Sequence, residues 1–250
     1  MLLEGKTAVV YGAGTISGAV AEAFARERAR VFVASRGAEK LNALAERIRA
    51  AGGQVEAEQL DALDERAVDE HAERVVAEAG ALDISFNAIN HDDVQGKPMW
   101  EMALADFEAP VITGLRTNFI TWRAATRQMI RQGGGVIINF GGEGPPMRNW
   151  YVGGLQAGLG VIEAMRRQLA TEAGKYGVRV VTMRTGGIPE GIPDDFEGKG
   201  AIEQAIVGET LLGRAATLAD VGNVAAFIAS DKAASMTAAT VNVSCGSLID

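Results

Sequence analysis

The chain has 250 residues, 48% of them hydrophobic and 22% charged, and a formal net charge of −8. That length and balance suit one large globular domain with a substantial core, and the acidic excess, with basic residues scattered along the chain, argues against nucleic acid as a partner. No apolar run reaches 18 residues and Met1 to Lys6 carries no leader-like pattern, so the reading is a soluble, cytoplasmic protein with no membrane partner. The single cysteine, Cys245, excludes an intrachain disulfide, and two histidines, His71 and His91, leave too few ligands for a His/Cys metal site. No metal is expected.

Taken in chain order, short β-branched runs alternate with amphipathic stretches. Thr7 to Tyr11 reads as a strand, followed by a helix from about Gly18; Arg30 to Ala34 is a strand, followed by a helix through Leu41, Leu44 and Ile48. The rhythm continues with a strand at 54–60, a helix through Val68 and Val75, and a strand from Leu82 to Phe86. A long helix from about Phe107 to Arg131 precedes the strand Val136 to Phe140, and a helix across Leu159 to Ala173 precedes the strand Val178 to Thr182. A helix from about Leu218 and a last strand, Thr240 to Val243, complete the series. Seven strands with intervening helices predict an α/β fold: a Rossmann-like, doubly wound, mainly parallel sheet covered on both faces. No repeat or linker divides the chain, so one domain spans 1–250. The irregular stretch from Gly186 to about Gly200 follows the carboxyl end of the sixth strand, where ligands of open α/β sheets bind, and marks 186–215 as a substrate loop or lid.

Gly12-Ala-Gly-Thr-Ile-Ser-Gly18 follows the first strand and opens a helix, so its backbone N–H groups and the helix dipole can face a pyrophosphate. A glycine loop is weak evidence alone and gains its value from standing in the first βα turn of a sustained strand-helix series. At the end of the second strand stands Arg36, where a carboxylate ordinarily grips the ribose of NAD. An arginine there suits a 2′-phosphate, and a solvated helix-start arginine is the alternative. Asp61 ends the third strand, placed either to meet an adenine amino group or to cap a turn.

These residues resemble the short-chain dehydrogenase/reductase family, essentially end to end. Gly12 to Gly18 is similar to its T-G-x-x-x-G-x-G loop, with Tyr11 for the threonine and Ile16 for the middle glycine. Asn87-Ala-Ile-Asn90 is similar to its N-N-A-G segment, Thr185-Gly-Gly-Ile188 to its P-G-x-I segment, and 213–231 to its late helix and flanks. Ser17-Gly-Ala19 also resembles the loop of the enoyl-acyl-carrier-protein reductase branch. The resemblance implies NADP(H) as cofactor, with NAD(H) less favoured, held by Gly12, Gly14, Thr15, Ile16, Ser17, Gly18, Arg36, Asp61, Asn87 and Ile188. The branched Ile16 stands where close backbone approach to phosphate is usual, which lowers the expected affinity. A homodimer or homotetramer is implied as well, built on the two long helices, with the small residues Gly153, Gly154, Gly158 and Gly160 permitting close packing.

The same alignment removes the family's catalytic groups. Its tyrosine, lysine, serine and asparagine positions carry Leu155, Leu159, Gly142 and Gly114. No lysine occurs between Lys97 and Lys175 and no serine between Ser85 and Ser230, so no shift of register restores either role. Hydride addition to a carbonyl creates an alkoxide that must be protonated, and losing a general acid typically costs about 10²- to 10⁴-fold. Leu155 and Leu159, at i and i+4, put an apolar wall on one helix face instead. Candidate replacements are Tyr151, one turn before Leu155, set against a packing role; Glu143, set against a solvated loop position; and His91, set against an exposed turn beside Asp92 and Asp93. Asn118 and Arg184 are further candidates, the first for the lost asparagine, the second for an anionic substrate, with a surface salt bridge as its alternative. Three functions follow: an atypical NADP(H)-dependent oxidoreductase on a small or medium apolar substrate; an inactive relative serving as nucleotide sensor or structural subunit; and non-redox chemistry, such as an elimination or cyclisation, in the same cleft.

Overall fold

The structure is a computed structural model that describes residues 1–142, 144 and 150–249. Its strands are β1 (Thr7–Tyr11), β2 (Arg30–Ser35), β3 (Gln54–Gln59), β4 (Ile84–Asn87), β5 (Gly135–Phe140), β6 (Val178–Thr185) and β7 (Thr240–Val243). All pair in parallel, in the order β3-β2-β1-β4-β5-β6-β7. Every residue of β1 is buried, as expected of a central parallel strand with helices on both faces. The sheet therefore splits the core in two. One half gathers Val10, Phe24, Val33, Leu44, Phe86 and Ile138; the other gathers Val9, Leu82, Trp122, Met129, Ile137 and Val180.

The helices are α1 (Thr15–Arg26), α2 (Ala38–Ala50), α3 (Glu65–Ala79), α4 (Leu104–Gln132), α5 (Leu155–Ala173), α6 (Lys199–Gly208) and α7 (Leu218–Ala229). Local chemistry fixes several of their ends. The Asp64 side chain accepts from the N–H groups of Arg66 and Ala67, and α3 stops at Gly80 in the left-handed conformation. Thr217 and Asp220 form a reciprocal capping box at the start of α7. The sequence pattern does not predict α6: it lies in the stretch expected to be irregular, and it has no fully buried residue to impose an apolar period. Ile206 of α6 packs against Gly187, so this helix covers the carboxyl end of β6.

Two glycines at the start of α5 meet a constraint within the chain. A Cβ on Gly154 would lie 1.9 Å from the Phe107 carbonyl oxygen, and one on Gly158 would lie 3.0 Å from that of Pro110. These glycines let α5 lie directly on the backbone of α4 within the same chain.

Below the sheet's carboxyl edge, Tyr11 and His71 form a buried pair, with the Tyr11 hydroxyl 3.5 Å from His71 Nδ1 and the rings edge-on. Burial pushes the imidazole from its ordinary 6.5 down to about 4, with Glu58 opposing that shift through its charge. His71 is therefore neutral in the folded chain at pH 7. Because the folded chain binds this proton more weakly than the unfolded chain, its stabilisation is complete above about pH 6.5 and is lost as pH falls toward 4, on the order of 3 kcal/mol by linkage. Urea unfolding at pH 7.5 and 4.5 will show a stability loss that His71→Gln reduces.

Candidate functional site

Strand order reverses direction between β1 and β4, where ligands of doubly wound sheets bind. Both strands end there, Tyr11 opposite Asn87, and the glycine loop leaves on one side while the 88–98 loop leaves on the other. Gly12 has φ +111, and a Cβ on it would strike Ser17 Oγ at 2.6 Å and the Ala88 carbonyl at 3.1 Å. Only glycine fits this turn. Helix α1 then begins at Thr15 with Gly14 as its N-cap, no side chain capping it and no acidic residue in its first turn. The unpartnered N–H groups and the positive end of the helix dipole are left to an anion, which fits a dinucleotide pyrophosphate.

Two cavities meet at this point. The smaller, about 400 Å³, runs over Gly12, Ala13, Arg36, Lys40, Asp61 and Thr113. The larger, about 920 Å³, continues past Thr15 and Ile16 to Phe140, Trp150, Leu155 and Leu159. They share Gly14, Ala88, Ile89 and Asn90, so one cleft crosses the switch point.

Of the sequence-predicted nucleotide residues, Gly12, Gly14, Thr15, Ile16, Arg36 and Asp61 stand on these walls. Ser17 also borders the larger cavity, but its side chain is buried and its hydroxyl donates to the Ala88 carbonyl at 3.3 Å, tying the glycine loop to the end of β4. Asp61 Oδ1 accepts from Leu63 N–H, so the turn role expected as its alternative is real. Gly18, Asn87 and Ile188 line neither cavity. Gly18 packs against Leu44, and Ile188 packs on the core. Asn87 is buried: its Nδ2 donates to Thr121 Oγ1 at 3.0 Å and its Oδ1 accepts from Ile89 N–H, which orders the loop after β4. Lys40, four residues beyond Arg36, was missed. Its spacing at i+4 in the first turn of α2 is the signal that finds it.

At the other end, Gly142, Leu155 and Leu159 line the larger cavity as an apolar wall. Gly142 has φ +123, where a side chain would be strained and its Cβ would lie 3.0 Å from Thr182 Cγ2. Tyr151 is 47% exposed and outside the lining, while its neighbour Trp150 forms part of it. Glu143 lies outside the described residues. Asn118 turns back along α4, its Nδ2 donating to the Gly114 carbonyl at 2.9 Å, and does not reach the cleft. Arg184 lines the cleft beside Gly142.

His91 departs from the exposed turn that Asp92 and Asp93 suggest. It is only 9% exposed and lines the larger cavity. Its Cε1–Nδ1 edge rests on Gly114, where a Cβ would sit 3.2 Å from both atoms. Burial lowers its basicity, against the opposing charges of Asp93 and Asp92.

The family model described as Enoyl-(Acyl carrier protein) reductase matches residues 12–247. The chain is 31% identical to the uncharacterized oxidoreductase YxbG of Bacillus subtilis, over 94% of this chain and 88% of that one. The chain belongs to the short-chain dehydrogenase/reductase family of oxidoreductases. Another relative, the 3-oxoacyl-[acyl-carrier-protein] reductase FabG of Staphylococcus aureus, is 30% identical over 96% of this chain and 97% of its own. A short-chain dehydrogenase/reductase from Serratia marcescens superposes with a TM-score of 0.84 at 25% identity, covering 98% of this chain and 99% of that one. Among the described residues no helix is long and apolar enough to cross a membrane, and no group of three or more His, Cys, Asp or Glu side chains is placed to hold a metal ion.

Proposed function

We propose that this member of the short-chain dehydrogenase/reductase family is an NADP(H)-dependent oxidoreductase acting on a small or medium apolar carbonyl or activated alkene, without the family's usual tyrosine, lysine, serine and asparagine. The observation that carries this reading is the single cleft joining an anion-ready helix end to an apolar wall at the same sheet edge. Bound there, NADP(H) supplies or accepts a hydride.

The chain's own residues divide the work. The N–H groups at the start of α1 hold the pyrophosphate, and Gly12 keeps the loop close enough to reach it. Arg36 and Lys40, both exposed on the wall of the smaller cavity, are free to close on a 2′-phosphate. Leu155, Leu159, Phe140 and Trp150 bind the apolar body of the substrate and exclude water from the reacting carbon. The positions that carry Gly114, Gly142, Leu155 and Leu159 supply no proton and no hydroxyl, so carbonyl reduction by the family's ordinary route is slow here. The same four positions favour the second reading, an inactive nucleotide-binding subunit, but the cleft beside them is open rather than filled.

Oxidation of NADPH against a panel of apolar ketones, aldehydes and activated alkenes separates the two readings. The oxidoreductase reading expects substrate-dependent loss of absorbance at high enzyme concentration. Nucleotide binding with no turnover across the panel contradicts it and leaves the sensor.

A further inference from the structure

His91 and Gly114 are a matched pair. A side chain at position 114 would start 3.2 Å from the imidazole and 3.0 Å from Ile162 Cδ1, so an asparagine there would press both neighbours aside. The imidazole thus fills the volume beside α4 that the missing asparagine would take, and it does so at the edge of the cleft. Among the described residues neither ring nitrogen of His91 has a hydrogen-bond partner within the chain. Neither nitrogen is sealed away as a buried unpaired atom, so the imidazole can present one to a ligand in the cavity.

We propose that His91 is the proton-handling residue of this cleft, taking over the role for which α5 has no side chain. The proposal rests on the oxidoreductase reading above. In the oxidative direction the substrate O–H bond breaks and its proton passes to the imidazole; the carbinol C–H bond breaks and its electron pair leaves with the hydrogen as hydride to NADP⁺, and C=O forms. Reduction reverses each transfer, the imidazolium giving its proton to the carbonyl oxygen. Because Nδ1 and Cε1 face the Gly114 niche, Nε2 is the nitrogen assigned to the substrate.

The charged groups around the ring set the direction of its pH response. Asp92 and Asp93 on its own loop favour the imidazolium, burial disfavours it more strongly, α4 presents uncharged Gly114, and Arg184 and Glu209 stand elsewhere on the same cavity. His91 is consequently neutral at pH 7 and ready as a base. Oxidation should level off above about pH 6.5, whereas reduction should speed up as pH falls below it.

The chain contains two histidines, so an imidazole ¹H–¹³C spectrum shows two Cε1–H signals, assigned by loss of one in His91→Asn. On adding NADP⁺ the His91 signal should shift and its titration midpoint should fall, because a cationic nicotinamide opposes imidazolium, while the His71 signal stays in place. His91→Asn and His91→Gln should keep the NADP⁺-induced rise in melting temperature. On any substrate the panel yields, they should lose about 10²- to 10⁴-fold in turnover together with the pH dependence below 6.5. Gly114→Asn should displace the ring and abolish the NADP⁺ response of its signal. A melting-temperature rise with an unmoved His91 signal overturns the proton assignment alone, as does full turnover in His91→Asn. No rise at all overturns the nucleotide reading and this inference with it.

Discussion

Gly154→Ala will lower the melting temperature by roughly 6 to 12 °C. The new methyl would start 1.9 Å from the Phe107 carbonyl oxygen and 3.1 Å from Pro110 Cγ, and a backbone carbonyl in the second turn of α4 cannot rotate aside as a side chain can. Relief requires α5 to move away from α4. Overpacking of this kind costs about 3 kcal/mol, and for a chain of this length each kcal/mol is worth roughly 2 to 4 °C. Gly160→Ala in the same helix is the control: no atom lies within 4 Å of its added Cβ, and alanine is favoured over glycine by about 1 kcal/mol in a helix interior. Thermal unfolding of the two variants should therefore show shifts of opposite sign. A rise for both would mean that helix propensity, not the α4 contact, governs this segment.

The second large effect is on nucleotide choice. Arg36→Ala should weaken NADPH binding about 10- to 100-fold and leave NADH nearly unchanged, since charge-assisted hydrogen bonds contribute about 1.5 to 3 kcal/mol and 1.4 kcal/mol is a factor of ten. Lys40→Ala should act in the same direction with a smaller effect, as a single ammonium lacks the two-pronged geometry of the guanidinium. Arg36→Asp should reverse the preference by repelling the 2′-phosphate and offering a carboxylate to the ribose hydroxyls. Fluorescence titration of each variant with both nucleotides reads these changes. Equal losses for NADPH and NADH in Arg36→Ala would place the arginine outside any 2′-phosphate site.

The parallel sheet was legible because its central strands are buried on both faces and read as continuous apolar runs. Thr7–Tyr11 and Thr240–Val243 match the predicted strands at both ends. Helix ends drift more, α5 beginning at Leu155 rather than near Leu159 and α1 at Thr15 rather than Gly18, because first turns carry little of the apolar period. The glycine loop was legible from its place after β1. Asn87, Gly18 and Ile188 were not separable from true wall residues, since a motif gives position along the chain and not the direction a side chain takes.

His91 was hidden for a physical reason. Two aspartates follow it, and a charged pair usually marks an exposed turn, yet Asp92 adopts φ +58 and its N–H is held by the Asn90 side chain, so the chain bends immediately after the imidazole. The sequence does carry one sign of it. A glycine at 114, inside a long amphipathic helix that it weakens, needs a close approach to justify it, and the approaching groups are Ile162 and His91.

Calorimetric titration of the purified chain with NADPH and with NADH tests most directly whether this cleft is a working dinucleotide site. One saturable site per chain with NADPH bound at least tenfold more tightly than NADH is the predicted result. No saturable heat with either nucleotide, or equal affinity for both, would contradict it.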